Sequence, residues 1–317
     1  MKRIVGHKQI TNLLDGQIKQ KKVSHGYLFL GPAHVGKFTT AKNFAKELLC
    51  LSKIKPDEET CLSCFSFEKF NHSDFKIVSS EENGSISIGS IREITRSISL
   101  YPQLSKRKVV IFEEASLMTL EAQNAFLKTL EEPPPYATFI LVSQKENLLP
   151  TILSRATVVN FQPVLEKEIK KELIKRGKKD EDAILLSRLC LGQIGRVLED
   201  DSLLKKWAKT LALIEKLADS AFLEKLNYLK EAEDTFSEDL FLWLSIFKDL
   251  FIYQKNPSLI SHLPKEYKEN IRKTASQFKK PQIIAIIKEI QKTQNLLTTS
   301  VNKKLLFENL MIKLKYG

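Results

Sequence analysis

Five short, almost uninterrupted runs of apolar, β-branched or aromatic residues punctuate the first half of the chain: Tyr27–Leu30, Phe75–Val78, Val109–Phe112, Thr138–Val142 and Thr157–Phe161. Such runs lack the alternation of a half-exposed strand and predict strands covered on both faces, as in a parallel sheet. Between them, Thr39–Leu49, Ile91–Leu100 and Leu120–Leu130 carry apolar residues at helical spacing, and Pro133-Pro134-Pro135 ends the last of these. Strands alternating with helices predict an α/β domain over residues 1–162. After Gln162-Pro163 the strand signals vanish, and amphipathic helices follow one another to Tyr316 without an internal repeat. Breaks at Gly177–Asp180, Gly192–Gly195 and Asn256-Pro257 divide them. Two helical domains are expected, 163–204 and 205–317, with a boundary marked by composition alone.

Composition narrows the class. The chain has 317 residues, of which 43% are apolar and 28% charged, enough for several packed domains and too apolar for disorder. Only 11 glycines are present, which suits a mostly helical protein. No apolar run approaches the ~18 residues of a membrane span. Met1-Lys2-Arg3 leads into Ile4–His7 without an apolar secretory core, so no signal segment is expected and the location expected is cytoplasmic. Four cysteines at uneven spacing read as thiols or metal ligands rather than a disulfide framework. The formal net charge of +12 favours polyanions or acidic partners, yet the excess is spread over both halves without a basic arm. It reads either as a solvated lysine-rich surface or as a weak DNA-facing patch.

The strongest local signal is Gly31-Pro32-Ala33-His34-Val35-Gly36-Lys37, a GxxxxGK segment between a predicted strand and a predicted helix. The glycines let backbone N–H groups turn inward on a phosphate, the helix N-terminus adds positive dipole, and Lys37 brings a point charge. The residue that follows should be Ser or Thr, whose hydroxyl binds Mg²⁺, and it is Phe38; Thr39 and Thr40 come one and two positions late. The strand ending at Phe112 runs into Glu113-Glu114, where an Asp for Mg²⁺ and then a Glu to polarise water are wanted. Glu113 is one methylene too long, while Glu114 keeps the general-base type. Either carboxylate reads alternatively as a solvated cap for the helix beginning near Thr119. Together the departures point to nucleotide binding without efficient hydrolysis. His7, His25 and His34 have no partner at catalytic spacing, Trp207, Trp243 and Cys190 read as core, and no HExxH, GxSxG or Rossmann fingerprint occurs.

Several segments, in order and covering nearly the whole chain, resemble the delta-prime subunits of the bacterial DNA polymerase III clamp loader, a family of AAA+ proteins. They are Val5-Gly6-His7, His25–Phe29, Ala122–Pro134 (AQNAFLKTLEEPP, beside the family's ANALLKTLEEPP) and Leu148–Arg155, beside LLPTIxSRC. Asn71–Asp74 resembles NHPD, and Ser300-Val301-Asn302 resembles the NVN motif that opens the last collar helix. The resemblance implies an AAA+ P-loop sheet domain (1–162), a helical lid (163–204) and a helical collar for oligomerisation (205–317). It implies that Arg155 is an arginine finger offered to ATP on a neighbouring subunit, with Ala156 in place of the family's Cys. Ser143 takes the sensor 1 position, or else simply caps its strand. Gly195 takes the sensor 2 position, where motor subunits carry Arg, and Arg196 comes one residue later. Glycine there argues against hydrolysis in cis.

Within the insert, at about residues 50–74, the family places a four-cysteine zinc site. Cys50, Cys61 and Cys64 match three ligand positions and Glu58 stands in the fourth, so the alternatives are zinc held by three thiolates and a carboxylate, or a decayed site. His72 is a further candidate ligand. The implied function is that of a stator-like subunit without independent ATPase activity. It would hold ATP or ADP at most in a degenerate site and help to place a sliding clamp on primed DNA. The implied partners are gamma/tau and delta subunits, the clamp, and primer-template DNA through the complex, with no membrane. The rival is an active AAA+ motor of the gamma/tau or replication-factor type, against which Phe38, Glu113 and Gly195 speak. A DNA-binding module built on the insert is the third reading, held weaker on the expectation that nothing aromatic or basic clusters there.

Overall fold

In the computed structural model, which describes residues 4–52, 61–200, 202–219, 236–261, 263–297, 305–306 and 308–310, the predicted strands pair into one sheet. They are β1 (Gly26–Leu30), β2 (Phe75–Val78), β3 (Lys108–Phe112), β4 (Ala137–Ser143) and β5 (Thr157–Asn160). All pairings are parallel, in the order β2-β3-β4-β1-β5. The registers Leu30↔Ser143 and Phe112↔Leu141 bring the carboxyl ends of β1, β3 and β4 to one edge of the sheet. In open parallel sheets that edge is where ligands bind. The three inner strands are buried on both faces as expected, but β2 and β5 are the sheet's edges, and Val158 of β5 is 42% exposed.

Helices cover both faces. Leu28, Val110, Phe112, Phe139 and Leu141 point to one side and pack with Ile91, Ile94 and Ile98 of α4 (Ile88–Ser99) and Phe126 of α5 (Leu120–Glu131). The alternate residues Tyr27, Phe29, Val109, Ile111 and Ile140 pack on the other side with Leu14 of α1 (Lys8–Lys19) and with Ala41, Phe44 and Ala45 of α2 (Lys37–Leu49). The period of two along each strand thus feeds two cores. Helix starts follow capping chemistry: Ser87 and Thr119 accept the N–H of Ser90 and Ala122 at the heads of α4 and α5. A short α3 (Leu62–Glu68) inside the cysteine insert and a single turn α6 (Pro150–Leu153) complete this unit. The α/β sandwich and its P-loop position agree with the AAA+ architecture expected.

Among the described residues, further helices are α7 (Glu166–Lys175), α8 (Asp180–Leu189), α9 (Ile194–Glu199), α10 (Leu203–Asp219), α11 (Phe236–Lys255), α12 (Lys265–Ala275) and α13 (Lys280–Leu296). Contacts divide the chain into residues 1–165 with Gln193–Gly195, and residues 166–192 with 196–317. Inside the second unit, Arg188 of α8 pairs with Asp249 of α11 at 2.7 Å, both nearly buried, and Tyr267 of α12 donates its hydroxyl to the same carboxylate. Trp207 of α10 stacks on Tyr267 at 4.6 Å. Trp207, Trp243 and Cys190 lie in the core, as their spacing predicted. Among the described residues no helix is long and apolar enough to cross a membrane. Glu58 and Ser300-Val301-Asn302 lie outside the described residues.

Candidate nucleotide site and cysteine site

β1 ends at Leu30, and the chain turns at once. Gly31 has φ +151°, and a Cβ there would lie 2.3 Å from the Phe161 carbonyl oxygen, so no other residue fits without moving β5. Gly36, at φ +100°, precedes α2 and starts the helix. Lys37 is buried, and its ammonium donates to the carbonyls of Gly31 (2.6 Å) and Pro32 (2.5 Å). Burial pulls its pKa down to about 8 against the opposing pull of the Glu114 carboxylate. Phe38 is partly buried against the α1–α2 core. Thr39 is exposed, and the Thr40 hydroxyl donates to Gly36 O at 2.8 Å, so Thr40's hydroxyl is already committed to α2's own backbone.

The sheet brings the remaining candidates to the same edge. Gly31 N–H donates to Ser143 O at 3.2 Å. The Ser143 hydroxyl, fully buried at the end of β4, donates to Lys145 O (2.7 Å) and accepts Lys145 N–H (3.2 Å). Glu113 is exposed and accepts from the Ser79 hydroxyl at 2.7 Å. Glu114 accepts from the Ser116 hydroxyl at 2.5 Å and from Gln144 N–H at 3.3 Å. Its carboxylate caps a short 3₁₀ turn, Ala115–Leu117, while α5 is capped by Thr119. Gly195 N–H donates to His34 O at 2.7 Å, and a Cβ on Gly195 would sit 3.0 Å from that oxygen and 3.1 Å from the His34 Cβ. Gly195 is therefore pressed onto the Gly31–Lys37 loop, while the Arg196 guanidinium lies over the Phe241 ring. Sequence reasoning gave His7 no role, yet its buried Nε2 lies 2.8 Å from Val35 O and its ring meets Phe161 edge-on. The only available signal was its place in the Val5-Gly6-His7 motif.

Arg155 stands just after α6, 37% exposed along its side chain. Its Nη2 pairs with Glu131 at 2.9 Å and its Nη1 donates to Thr151 O at 3.1 Å. Glu131 belongs to the LEEPP segment, so the two sequence blocks that carry the resemblance meet in space.

In the insert, the sulfurs of Cys50, Cys61 and Cys64 all lie within 4.8 Å of one another. Tetrahedral zinc with bonds of about 2.3 Å holds its sulfurs about 3.8 Å apart, so these three soft donors fit three corners of such a site. Burial alone raises the Cys61 thiol, but hydrogen bonds from Cys64, Leu51 and Ser52 outweigh it and bring the pKa to about 7. Cys64 is pushed up to about 12 by burial and by the other two cysteines. His72 is no ligand in this arrangement: Nδ1 accepts Asp74 N–H, and Nε2 faces the hydroxyls of Ser63 and Ser105. The expectation that nothing aromatic or basic gathers at the insert is also corrected. Lys42 of α2 lies 4.5 Å from the Phe70 ring centre and 5.7 Å from Phe38, and Lys69 lies 5.4 Å from Phe65; Phe65 and Phe70 are exposed. Phe65, Lys69 and Phe70 are sequence neighbours around α3, and the pairing of α2 with α3 adds Lys42 to them.

A family model described as "DNA polymerase III, delta subunit" matches residues 6–165. The DNA polymerase III subunit tau of Bacillus subtilis (strain 168) is 28% identical over 345 residues, covering 98% of this chain and 60% of the relative. Subunit delta' of the same organism is 28% identical over 323 residues, covering 98% of this chain and 96% of the relative. Subunit delta' of Pseudomonas aeruginosa is 34% identical over 169 residues, covering 52% of this chain and 51% of the relative.

Proposed function

The chain belongs to the DNA polymerase III delta-subunit family, and from that membership we propose that it is a clamp-loader subunit of the delta-prime kind, a stator rather than a motor. Overall identity does not choose between the two, since the tau and delta' relatives of Bacillus subtilis are both 28% identical. Local chemistry does. The observation that carries the reading is Gly195 packed on His34, where a Cβ would meet the His34 carbonyl oxygen at 3.0 Å and any longer side chain would have to displace the glycine-rich loop by a few tenths of an ångström. Phe38 in place of the Mg²⁺ hydroxyl and Glu113 in place of the shorter Asp support it further. Backbone N–H groups of Gly31–Lys37 and the Lys37 ammonium are the groups that would hold ATP or ADP in this degenerate site.

Arg155 is the residue with which such a subunit acts on its neighbours. A planar, permanently charged fork neutralises charge developing on a transferring phosphoryl group, and a surface pair like that with Glu131 is worth only about 0–1 kcal/mol, so Glu131 holds the guanidinium without sequestering it. In this reading residues 163–204 are the lid and residues 205–317 the collar. The partners are gamma/tau and delta subunits, with the sliding clamp and primer-template DNA engaged through the assembly, in the cytoplasm. Cys50, Cys61 and Cys64 hold zinc, with Glu58 or water as the fourth ligand. A steady-state ATPase assay on the purified chain tests the stator reading. Turnover at background is expected; about 1 per second or faster, abolished by Lys37→Ala, marks a motor instead.

A further inference from the structure

Cys50 follows the last residue of α2, whereas Cys61 is the N-cap of α3 and Cys64 lies in its first turn. The three sulfurs keep their spacing only if these two helix ends are held together. A buried polar network spans the gap. The carbonyl of Leu49, next to Cys50, accepts the hydroxyls of Ser63 (2.7 Å) and Ser105 (2.6 Å), and Ser63 lies between Cys61 and Cys64. His72 Nε2 lies 2.9 Å from the Ser63 oxygen and 3.1 Å from the Ser105 oxygen. Because Nδ1 accepts Asp74 N–H at 3.1 Å, the neutral ring carries its proton on Nε2. Both serine hydrogens are spent on Leu49, so both serine oxygens accept from that one N–H. The Asp74 carboxylate in turn accepts the N–H groups of Gln103, Leu104 and Ser105 at 2.7–2.8 Å, which fixes Ser105. Ser63, His72 and Asp74 are each at most 5% exposed and Ser105 is half-buried, and a satisfied, largely buried network of this kind is rigid.

We propose that His72 is a positioning residue for the three-thiol site: through Ser63 and Ser105 it clamps the end of α2 to the start of α3 and so sets the separation of Cys50 from Cys61 and Cys64. The first readout below rests on the zinc reading; the second does not. His72→Asn retains an acceptor for Asp74 N–H but has no donor at the Nε2 position, whereas His72→Gln carries an amide N–H close to it. Zinc affinity measured by chelator competition is expected to fall about 10–100-fold in His72→Asn and to recover in part in His72→Gln. Wild-type affinity in His72→Asn, or no difference between the two variants, overturns the proposal. If His72→Asn does not fold, Ser105→Ala, which leaves the ring in place, is expected to weaken zinc binding in the same direction, and unchanged affinity counts against the clamp. If the wild-type protein takes up no zinc, the metal reading falls and the spacing is read instead with phenylarsine oxide, which bridges only neighbouring thiols. With Cys64→Ser added to every variant so that the bridge must include Cys50, capture of Cys50 with Cys61 at least about tenfold faster with His72 and Ser105 intact than in His72→Asn or Ser105→Ala supports the clamp. Equal rates refute it.

Discussion

Lys37 carries a cost that bound phosphate would relieve. Its side chain is buried against two carbonyls, and its pKa falls from the usual 10.5 to about 8, chiefly through burial. Below pH 8 both folded and unfolded chains hold the proton, and the fold bears the whole penalty, about 3 kcal/mol for a shift of that size. Between pH 8 and 10.5 the unfolded chain binds the proton that the folded chain has released, so this group's contribution to stability rises with pH. Lys37→Met removes the penalty together with two hydrogen bonds worth about 1 kcal/mol each. The variant is therefore expected to exceed wild type by about 1 kcal/mol at pH 7 in urea unfolding, with the advantage gone by pH 10.5. A variant less stable than wild type at pH 7 contradicts this account.

Helices of the second unit are tied by a few buried polar contacts as well as by apolar packing. Arg188 on α8 and Tyr267 on α12 both end on Asp249 of α11, and Trp207 on α10 covers the tyrosine. Removing one partner of a buried ion pair leaves the other charge without compensation, which costs about 3–5 kcal/mol. Asp249→Ala is expected to lose that amount by denaturant unfolding of the full chain. Replacing Arg188 and Asp249 together with apolar residues of similar volume is expected to recover much of it. A loss below about 1 kcal/mol for Asp249→Ala means that packing alone holds these helices. The register in which four helices meet is thus assigned to one carboxylate.

At the scale of the molecule and its assembly, the proposed finger Arg155 is the group to test. Arg155→Ala removes a half-exposed pair with Glu131 and exposed hydrogen bonds to Thr151 O and the Ser154 hydroxyl, so the chain is expected to fold and to join its complex normally. If Arg155 is a finger, ATPase of the assembled loader is expected to fall, at the affected site by up to roughly 10³-fold, and Arg155→Lys is expected to rescue poorly because an ammonium lacks the planar fork. Sizing and ATPase on one mutant sample separate the readings. Full turnover per assembled complex would show that Arg155 merely fastens the turn before β5 to α5.

What the sequence determined by itself is whatever physical chemistry confines to a few consecutive residues. Strand and helix order followed from hydrophobic period, and the tight turn between β1 and α2 from Gly31 and Gly36 placed between a strand and a helix. Edge strands escaped, because β5 reads like an inner strand until its place in the sheet is known. The tertiary structure alone decided which distant residues share a site. It set Gly195 on His34, Glu131 on Arg155, His72 on the serines that join the cysteine helices, and Lys42 on Phe70. Each of these contacts depends on how helices and loops cross the faces of a sheet, and spacing along the chain carries no measure of that separation. The chemistry of each side chain was written locally, but its partner was chosen by packing.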